Sequence, residues 1–540
     1  MKPVVLATAA WLALLCAPAA QDHEHAAPGD ERLGRVHFDT SCAAAAVPAF
    51  DRAVALLHSF EFGDAIRGFE AALVADPTCA MAHWGIALSH WGNPFSLGQR
   101  SPQQLAQGRA AVERATALAP RTDRERGYVA AVGQLYADAG SRPQTARLEA
   151  YRDAMAELSR RLPSDTEAAI FHALALTAAE DPADKSYASR LQAVGILEPL
   201  FERMPDHPGL AHYIIHSYDV PTLAPRALRA AERYAAIAPS APHALHMPSH
   251  TFTRVGAWQA SIDTNVASAA AARRQRSTAE ELHASDYQMY AYLQTAQDDA
   301  ARRLLAALPE TAARFDPKAI GGAAPASAGY FALAAMPARF VIERGAWAES
   351  AALVRHPSGL PYVDALTEFA RALGAARTGD IAAAEASVAR LAALHSEQAA
   401  RQESYWTQQV AIQHEVAGAW LAFARSERHR ALAMLRAAAD AEDATEKSAV
   451  TPGPLAPARE LLGEMLLASG DPRSALEAFT TTLAKEPNRF RALAGAAAAA
   501  GAAGDAAAAA TYSQSLVAMC DRASQPLRAE LQQAHAAIRR

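Results

Sequence analysis

Two histidine pairs are the residues in this chain best placed to do chemistry. His212 and His216 lie four apart in Pro208-Gly209-Leu210-Ala211-His212-Tyr213-Ile214-Ile215-His216, and His246 and His250 lie four apart in Pro242-His243-Ala244-Leu245-His246-Met247-Pro248-Ser249-His250. Four residues is about one helical turn, so each pair puts two imidazoles on one face of a helix. Neutral imidazoles at that spacing form half of a zinc site and also suit copper, iron and nickel. The second pair follows the first by 34 residues at both positions. A fixed offset of that size points to a repeat, which would bring both pairs to equivalent places on neighbouring helices about 8–10 Å apart.

Around these four stand further candidates. His243 belongs to the second stretch, and His283 with Tyr287 repeats the four-residue spacing on the following helix. Tyr213, Tyr287 and His172 are read as groove-lining polar groups, and Trp84 as part of an aromatic groove wall with Trp91, Phe95, His58, Glu61, His83 and His90. A catalytic metal also calls for a carboxylate as ligand, base or support. Glu446, in Glu442-Asp443-Ala444-Thr445-Glu446-Lys447, reaches the histidines only if the chain curls back on itself. The competing reading is plain: stacked imidazoles that line a peptide groove or hydrogen-bond one another. Pro248 leaves a second question open. Inside a helix it would remove one hydrogen bond and kink the axis; as the first residue of a shorter helix it would leave His243 and His246 in a loop and loosen the alignment. No glycine-rich phosphate loop, nucleophile elbow or zincin motif is present.

The elements that must position these side chains are helices. The 540-residue sequence is 51% hydrophobic and 20% charged, with alanine and arginine dominating their classes, a composition that favours helix. The net charge of −6, without basic blocks, offers no footprint for nucleic acid. A repeat begun at Ala46 places Ala53, Leu56, Ala65, Phe69, Ala72 and Pro77 on the small, apolar, aromatic and terminating positions of the tetratricopeptide (TPR) pattern. Repeats begun at Pro208 (Ile215, Tyr218, Ala227, Ala231, Tyr234, Pro239) and at Ala456 (Gly463, Leu466, Ala475, Phe479, Pro487) do the same, with Thr482 replacing a small residue. The expectation is an all-α, TPR-type solenoid of helical hairpins, a right-handed superhelix in two halves. Residues 37–314 and 330–540 are read as those halves, and the Gly-, Ala-, Pro- and Ser-rich 315–329 as the linker between them.

At the start, Lys2 followed by an apolar run from Val4 to Leu15 and small residues up to Ala20 reads as a signal peptide over 1–20, with 21–36 a disordered leader. Leu15 before Cys16 is larger than lipoprotein processing accepts. The protein is therefore expected to be exported, periplasmic or secreted, without a transmembrane span in the mature chain. In that compartment Cys42 and Cys79, at the edges of the first helical pair, are candidates for a disulfide, which leaves Cys520 free.

The stretches Ala55-Leu56-Leu57-His58-Ser59-Phe60, Asp76 through Gly85, His246-Met247-Pro248-Ser249-His250 and Glu442 through Glu464 resemble a family of exported bacterial TPR proteins. The resemblance spans nearly the whole mature chain. It implies the fold and the compartment and marks His-Met-Pro-Ser-His as a family feature, but it carries no reaction. TPR proteins at large imply a protein or peptide partner in the concave groove. The function expected from the sequence is a cell-envelope scaffold for such a partner, with a histidine patch suited to Zn, Cu or Fe; the alternatives are a metal-dependent hydrolase or oxidative enzyme, or a metal storage or delivery protein using the same histidines.

Overall fold

Small residues set how closely the helices approach. In the computed structural model, which describes residues 31–539 apart from 97, 182 and 357, helix Val47–His58 pairs with Phe62–Ala75, and Ala80–Trp91 follows. A Cβ added to Gly68 would lie 2.8 Å from that of Ala53, so these two positions hold the first hairpin tight. Gly85, on the third helix, faces the ring of Phe69, and any side chain there would collide with it. The same device recurs near the other end. Phe479, in helix Pro472–Lys485, sits between Gly463 of the preceding helix and Gly495 of the following one. The aromatic residue of one repeat fills a notch that glycine leaves in the next, and burial of Phe69 and Phe479 is complete.

The described residues form helices and connecting segments without a strand, and each helix packs mainly on its neighbours in sequence, as a helical-hairpin solenoid requires. Leu33–Arg540 is one compact unit; the unit before it, Met1–Arg32, is described only at residues 31 and 32. The expected signal peptide and most of the leader lie outside the described residues. Within the described residues no helix is long and apolar enough to cross a membrane. A disulfide joins Cys42 to Cys79, tying the segment before the first helix to the start of the third, and Cys520 is a buried free thiol.

Pro248 breaks the hydrogen-bond ladder without turning the chain. Helices Pro242–His246 and Pro248–Arg254 are separated by Met247, whose φ of −54° and ψ of −35° remain helical. Pro248 thus opens a second helix, yet His243 and His246 stay on helical backbone and His250 still follows His246 by one turn. The first short helix starts with a proline, where the absent N–H costs nothing.

The segment expected as a spacer between halves differs from that expectation. Ala326–Gly329 already belong to helix Ala326–Glu343, and the preceding residues are pinned. Gly63 N–H donates to Gly321 O at 2.9 Å, Asn93 Nδ2 to Ala323 O at 3.1 Å, and Ala324 N–H to Glu280 Oε1 at 2.5 Å. A second irregular segment, 448–457, also folds inward. Arg339, fully buried, pairs with Asp286 at 2.9 Å and donates to Thr451 Oγ1, Gly453 O and Pro454 O at 2.8–2.9 Å. A buried guanidinium demands such saturation. Both segments converge on helices Pro208–Ser217 to Thr278–Gln294, which carry the histidines.

Candidate metal centre

Six imidazoles meet in the interior. His212, His216 and His243 form one group and His246, His250 and His283 another; within each, one ligand nitrogen per ring lies within 4.8 Å of the others. None of the six is more than 4% exposed. Each group takes a pair one turn apart, His212 and His216 on helix Pro208–Ser217 and His246 and His250 on either side of Met247, and a third ring from beyond the intervening helix. The two pairs are related by the 34-residue repeat, whereas the third rings are not, since His243 follows His216 by 27 residues and His283 follows His250 by 33.

Hydrogen bonds fix how the rings face. His212 Nδ1 donates to the His58 carbonyl at 2.6 Å, which leaves Nε2 buried and unpartnered. His246 Nδ1 donates to Asn265 Oδ1 at 2.7 Å, and the amide is oriented by its own Nδ2 donating to Ser261 O at 2.7 Å. His250 Nδ1 donates to Asp219 Oδ2 at 2.9 Å. His216 Nε2 is unpartnered, as are both ring nitrogens of His243 and Nδ1 of His283. His243 turns Nδ1 toward Glu280 Oε2, 3.8 Å away. Anchoring one ring nitrogen on an acceptor and presenting the other is how proteins orient metal-ligating histidine.

Electrostatics keep these nitrogens basic lone pairs. Burial, reinforced by the neighbouring imidazoles, pushes His212, His216 and His246 well below the ordinary histidine range. His250 falls to about 4, through burial and the Lys447 ammonium, and His283 to about 3, through burial. All five are neutral near pH 7, the form a metal requires. Burial works against charge on Asp219, but Lys447 Nζ and Arg254 Nε, each 2.9 Å away, outweigh it and hold the carboxyl well below its usual range. On the other flank Glu61 and Glu280 crowd together. Burial and Glu280 raise Glu61 well above the carboxylate range, whereas Glu280 is held low against burial by His243, so the pair carries one charge. His243 N–H donates to Glu61 Oε1 at 3.0 Å.

A third cluster resolves differently. His58 Nε2 and His207 Nε2 each donate to an oxygen of Glu167 at 2.9 Å, and Tyr213 OH lies 2.9 Å from His58 Nδ1. Burial disfavours charge on Glu167, but the two imidazoles outweigh it and hold its carboxyl low. These hydrogen bonds satisfy the carboxylate and one face of each ring without an ion. The cluster braces the carbonyl of His58 that orients His212.

The structure thus brings together His212, His216, His246 and His250, and adds His243 and His283 to them. Tyr287 OH is 3.4 Å from His250 Nε2 and 3.1 Å from the Thr451 carbonyl, at the edge of the patch. Tyr213 belongs to the bracing cluster instead. Trp84, expected on a groove wall, is a core residue at 0% exposure, enclosed by Phe38, Tyr128 and Phe171. His172 is half-buried, with Arg152 and Asp153 rather than residues of the patch as its charged neighbours. Glu446 is not a ligand: it takes Lys185 Nζ at 3.1 Å and Tyr187 OH at 2.8 Å and lies 3.8 Å from Arg254, because the chain that curls back delivers Lys447 to the patch and turns Glu446 away. Sequence reasoning missed Asp219, Asn265, Glu280 and Lys447. Local signals existed for three of them: Asp219 lies three residues after His216, Glu280 three before His283, and Lys447 directly follows Glu446.

No family model matches the chain, and no curated protein matches it. Solved structures of helical-repeat proteins do. A human IFIT1 dimer with m7Gppp-AAAA is 11% identical, with 82% of this chain and 90% of that chain covered and a TM-score of 0.37. The P58(IPK) TPR domain is 12% identical over 92% and 99%, with a TM-score of 0.21, and the APC/C hetero-tetramer Cut9-Hcn1 is 12% identical over 91% and 97%, with a TM-score of 0.27. Each score is below 0.5, so the fold and the site stand on the chain's own helix packing.

Proposed function

We propose that this protein is a transition-metal-binding helical-repeat protein that holds ions in two adjacent three-histidine sites. The observation that carries the reading is the convergence of six buried imidazoles, with ring nitrogens of His212, His216, His243 and His283 unpartnered and the rings of His212, His246 and His250 each anchored through Nδ1. Leaving several such groups unsatisfied in a protein interior costs about 1–3 kcal/mol each, a cost that coordination removes. Copper or zinc fits better than iron, manganese or magnesium, because no carboxylate stands among the six donors. Three protein ligands leave a further coordination position open, the arrangement of catalytic rather than structural sites.

The test is metal content after chelator-free purification, followed by titration of the stripped protein with Cu and Zn. Stoichiometric metal that halves in His212→Ala/His216→Ala and in His246→Ala/His250→Ala supports the reading. Failure of the wild-type protein to bind either metal ends it.

Export to an oxidising compartment is part of this proposal, supported by the Cys42–Cys79 bridge, since such bonds persist outside the reducing cytosol. Cell fractionation that finds the chain in the cytoplasm would refute it. A protein or peptide partner is a second reading, favoured by a separate cavity of about 80 Å³ whose walls include Phe331, Tyr362, Tyr405 and Trp406. Tyr362 and Trp406 stack there at 4.0 Å, an aromatic surface suited to an apolar side chain. Crosslinking in envelope extracts, compared between wild type and Trp406→Ala, tests it; identical partners in both would reject this cavity as the docking place.

A further inference from the structure

We infer that the two three-histidine groups are halves of one dinuclear copper centre that binds dioxygen between its ions. This rests on the metal-binding reading and adds to it the coupling of the two ions, the metal and the ligand.

The groups are not separate sites that happen to be close. Across the boundary between them, the rings of His216 and His250 have centroids 5.8 Å apart, and those of His243 and His246 are 5.9 Å apart. Within the groups the spacings run from 4.4 Å, for His246 and His283, to 6.4 Å, for His216 and His243. The six rings are one continuous array, so ions held by the two triads share a boundary of the same width as the triads themselves.

At that boundary lies a cavity of about 10 Å³. Its lining takes His216 and His243 from one group and His250 and His283 from the other, so it borders both. The volume admits a molecule of one or two heavy atoms. The rest of the lining is Asn93, Ser96 and the two inward-folded segments at Ala323–Pro325 and Ala449–Val450, most of it apolar. No carboxylate or ammonium group lines this cavity, so its titratable groups are the imidazoles that would already be bound to the ions. An organic substrate does not fit. A diatomic molecule bridging two metals does.

The donor set selects the metal. Six imidazole donors bring no negative charge of their own to offset that of the ions, and charge in a buried site is costly, so a pair of monovalent ions is better tolerated than a divalent pair. Copper is the imidazole-binding metal with an accessible monovalent state. Two Cu(I) ions can each give one electron to dioxygen; the O–O π bond is lost, the molecule becomes a bridging peroxide, and both ions become Cu(II). No proton is needed, and release of the bound dioxygen reverses the same two-electron transfer.

The experiment loads the stripped full-length protein anaerobically with Cu(I), counts bound copper, then admits air-level dioxygen while oxygen uptake and the near-ultraviolet spectrum are followed. Expected are two copper ions per chain, one dioxygen taken up per two copper ions, and an intense absorption band that disappears under argon. His216→Gln and His250→Gln, each confirmed folded by circular dichroism, should lose the band and the uptake. Two bound copper ions with no dioxygen uptake would overturn this inference and leave metal binding standing. Uptake that persists in variants carrying a single copper ion would also overturn it. Failure to bind copper or zinc at all would remove both readings together.

Discussion

His246 Nε2 faces His250 Nε2 across 3.1 Å, and both rings have already committed Nδ1–H to an acceptor, Asn265 for the first and Asp219 for the second. Two lone pairs at that distance repel each other unless a cation or proton lies between them. Two nitrogens bound to one tetrahedral metal at 2.0–2.1 Å lie about 3.3 Å apart, close to the spacing seen.

Asp219 orients His250 and is itself held by Lys447 and Arg254. Replacing it with Asn keeps the volume but weakens the acceptor. Competition titration should show roughly 10–100-fold weaker metal binding at the group containing His250, with the group containing His212 little changed. Equal weakening of both would mean the triads are not independently supported.

Glu442 is half-buried and raised to about 7 from an ordinary 4.5, chiefly by its loss of solvent. A carboxyl whose folded value is raised favours the folded state while protonated, so the native chain binds more protons than the unfolded one between these values. Stability should fall as pH climbs from about 4.5 to 7, by about 3 kcal/mol from this group. Glu442→Gln should flatten that part of the stability–pH curve in denaturant unfolding; an unchanged slope would assign it elsewhere.

Phe479 occupies the notch between Gly463 and Gly495. Gly495→Ala drives a methyl group into that ring and should lower the thermal midpoint, at a cost of about 1–3 kcal/mol. Gly501→Ala, whose new Cβ would meet only Ala509 at 3.9 Å, is the control and should be neutral or slightly stabilising.

Reducing the Cys42–Cys79 bridge, or replacing both residues with Ser, releases a closed loop spanning 37 positions. Chain entropy alone puts the loss at about 4 kcal/mol. Thermal melts with and without reductant measure it, and a midpoint insensitive to reductant would show that the local helices hold themselves.

The repeat was legible because its physics is local. A small residue at Ala53 or Gly463 and a ring at Phe69 or Phe479 recur at fixed offsets, and those offsets are what helix-on-helix packing needs. The same period put His212 and His216 in register with His246 and His250 before any fold was known. Pro248 could not be settled that way, since whether its missing N–H deflects the chain depends on what packs around Met247. Nor could the supports be found: Asp219 lies 31 residues from His250 and Lys447 lies 228 from Asp219, separations that carry no periodic signal. Trp84 shows the converse, an aromatic residue whose sequence context fits a groove but whose neighbours from three other segments bury it. The sequence by itself determined the helical hairpins and the spacing of the imidazoles, because both follow from helical geometry one turn and one repeat at a time. Tertiary structure alone decided that six rings rather than four converge, that Glu446 turns away while Lys447 arrives, and that two irregular segments close over them, because those outcomes depend on the path of the whole chain in space.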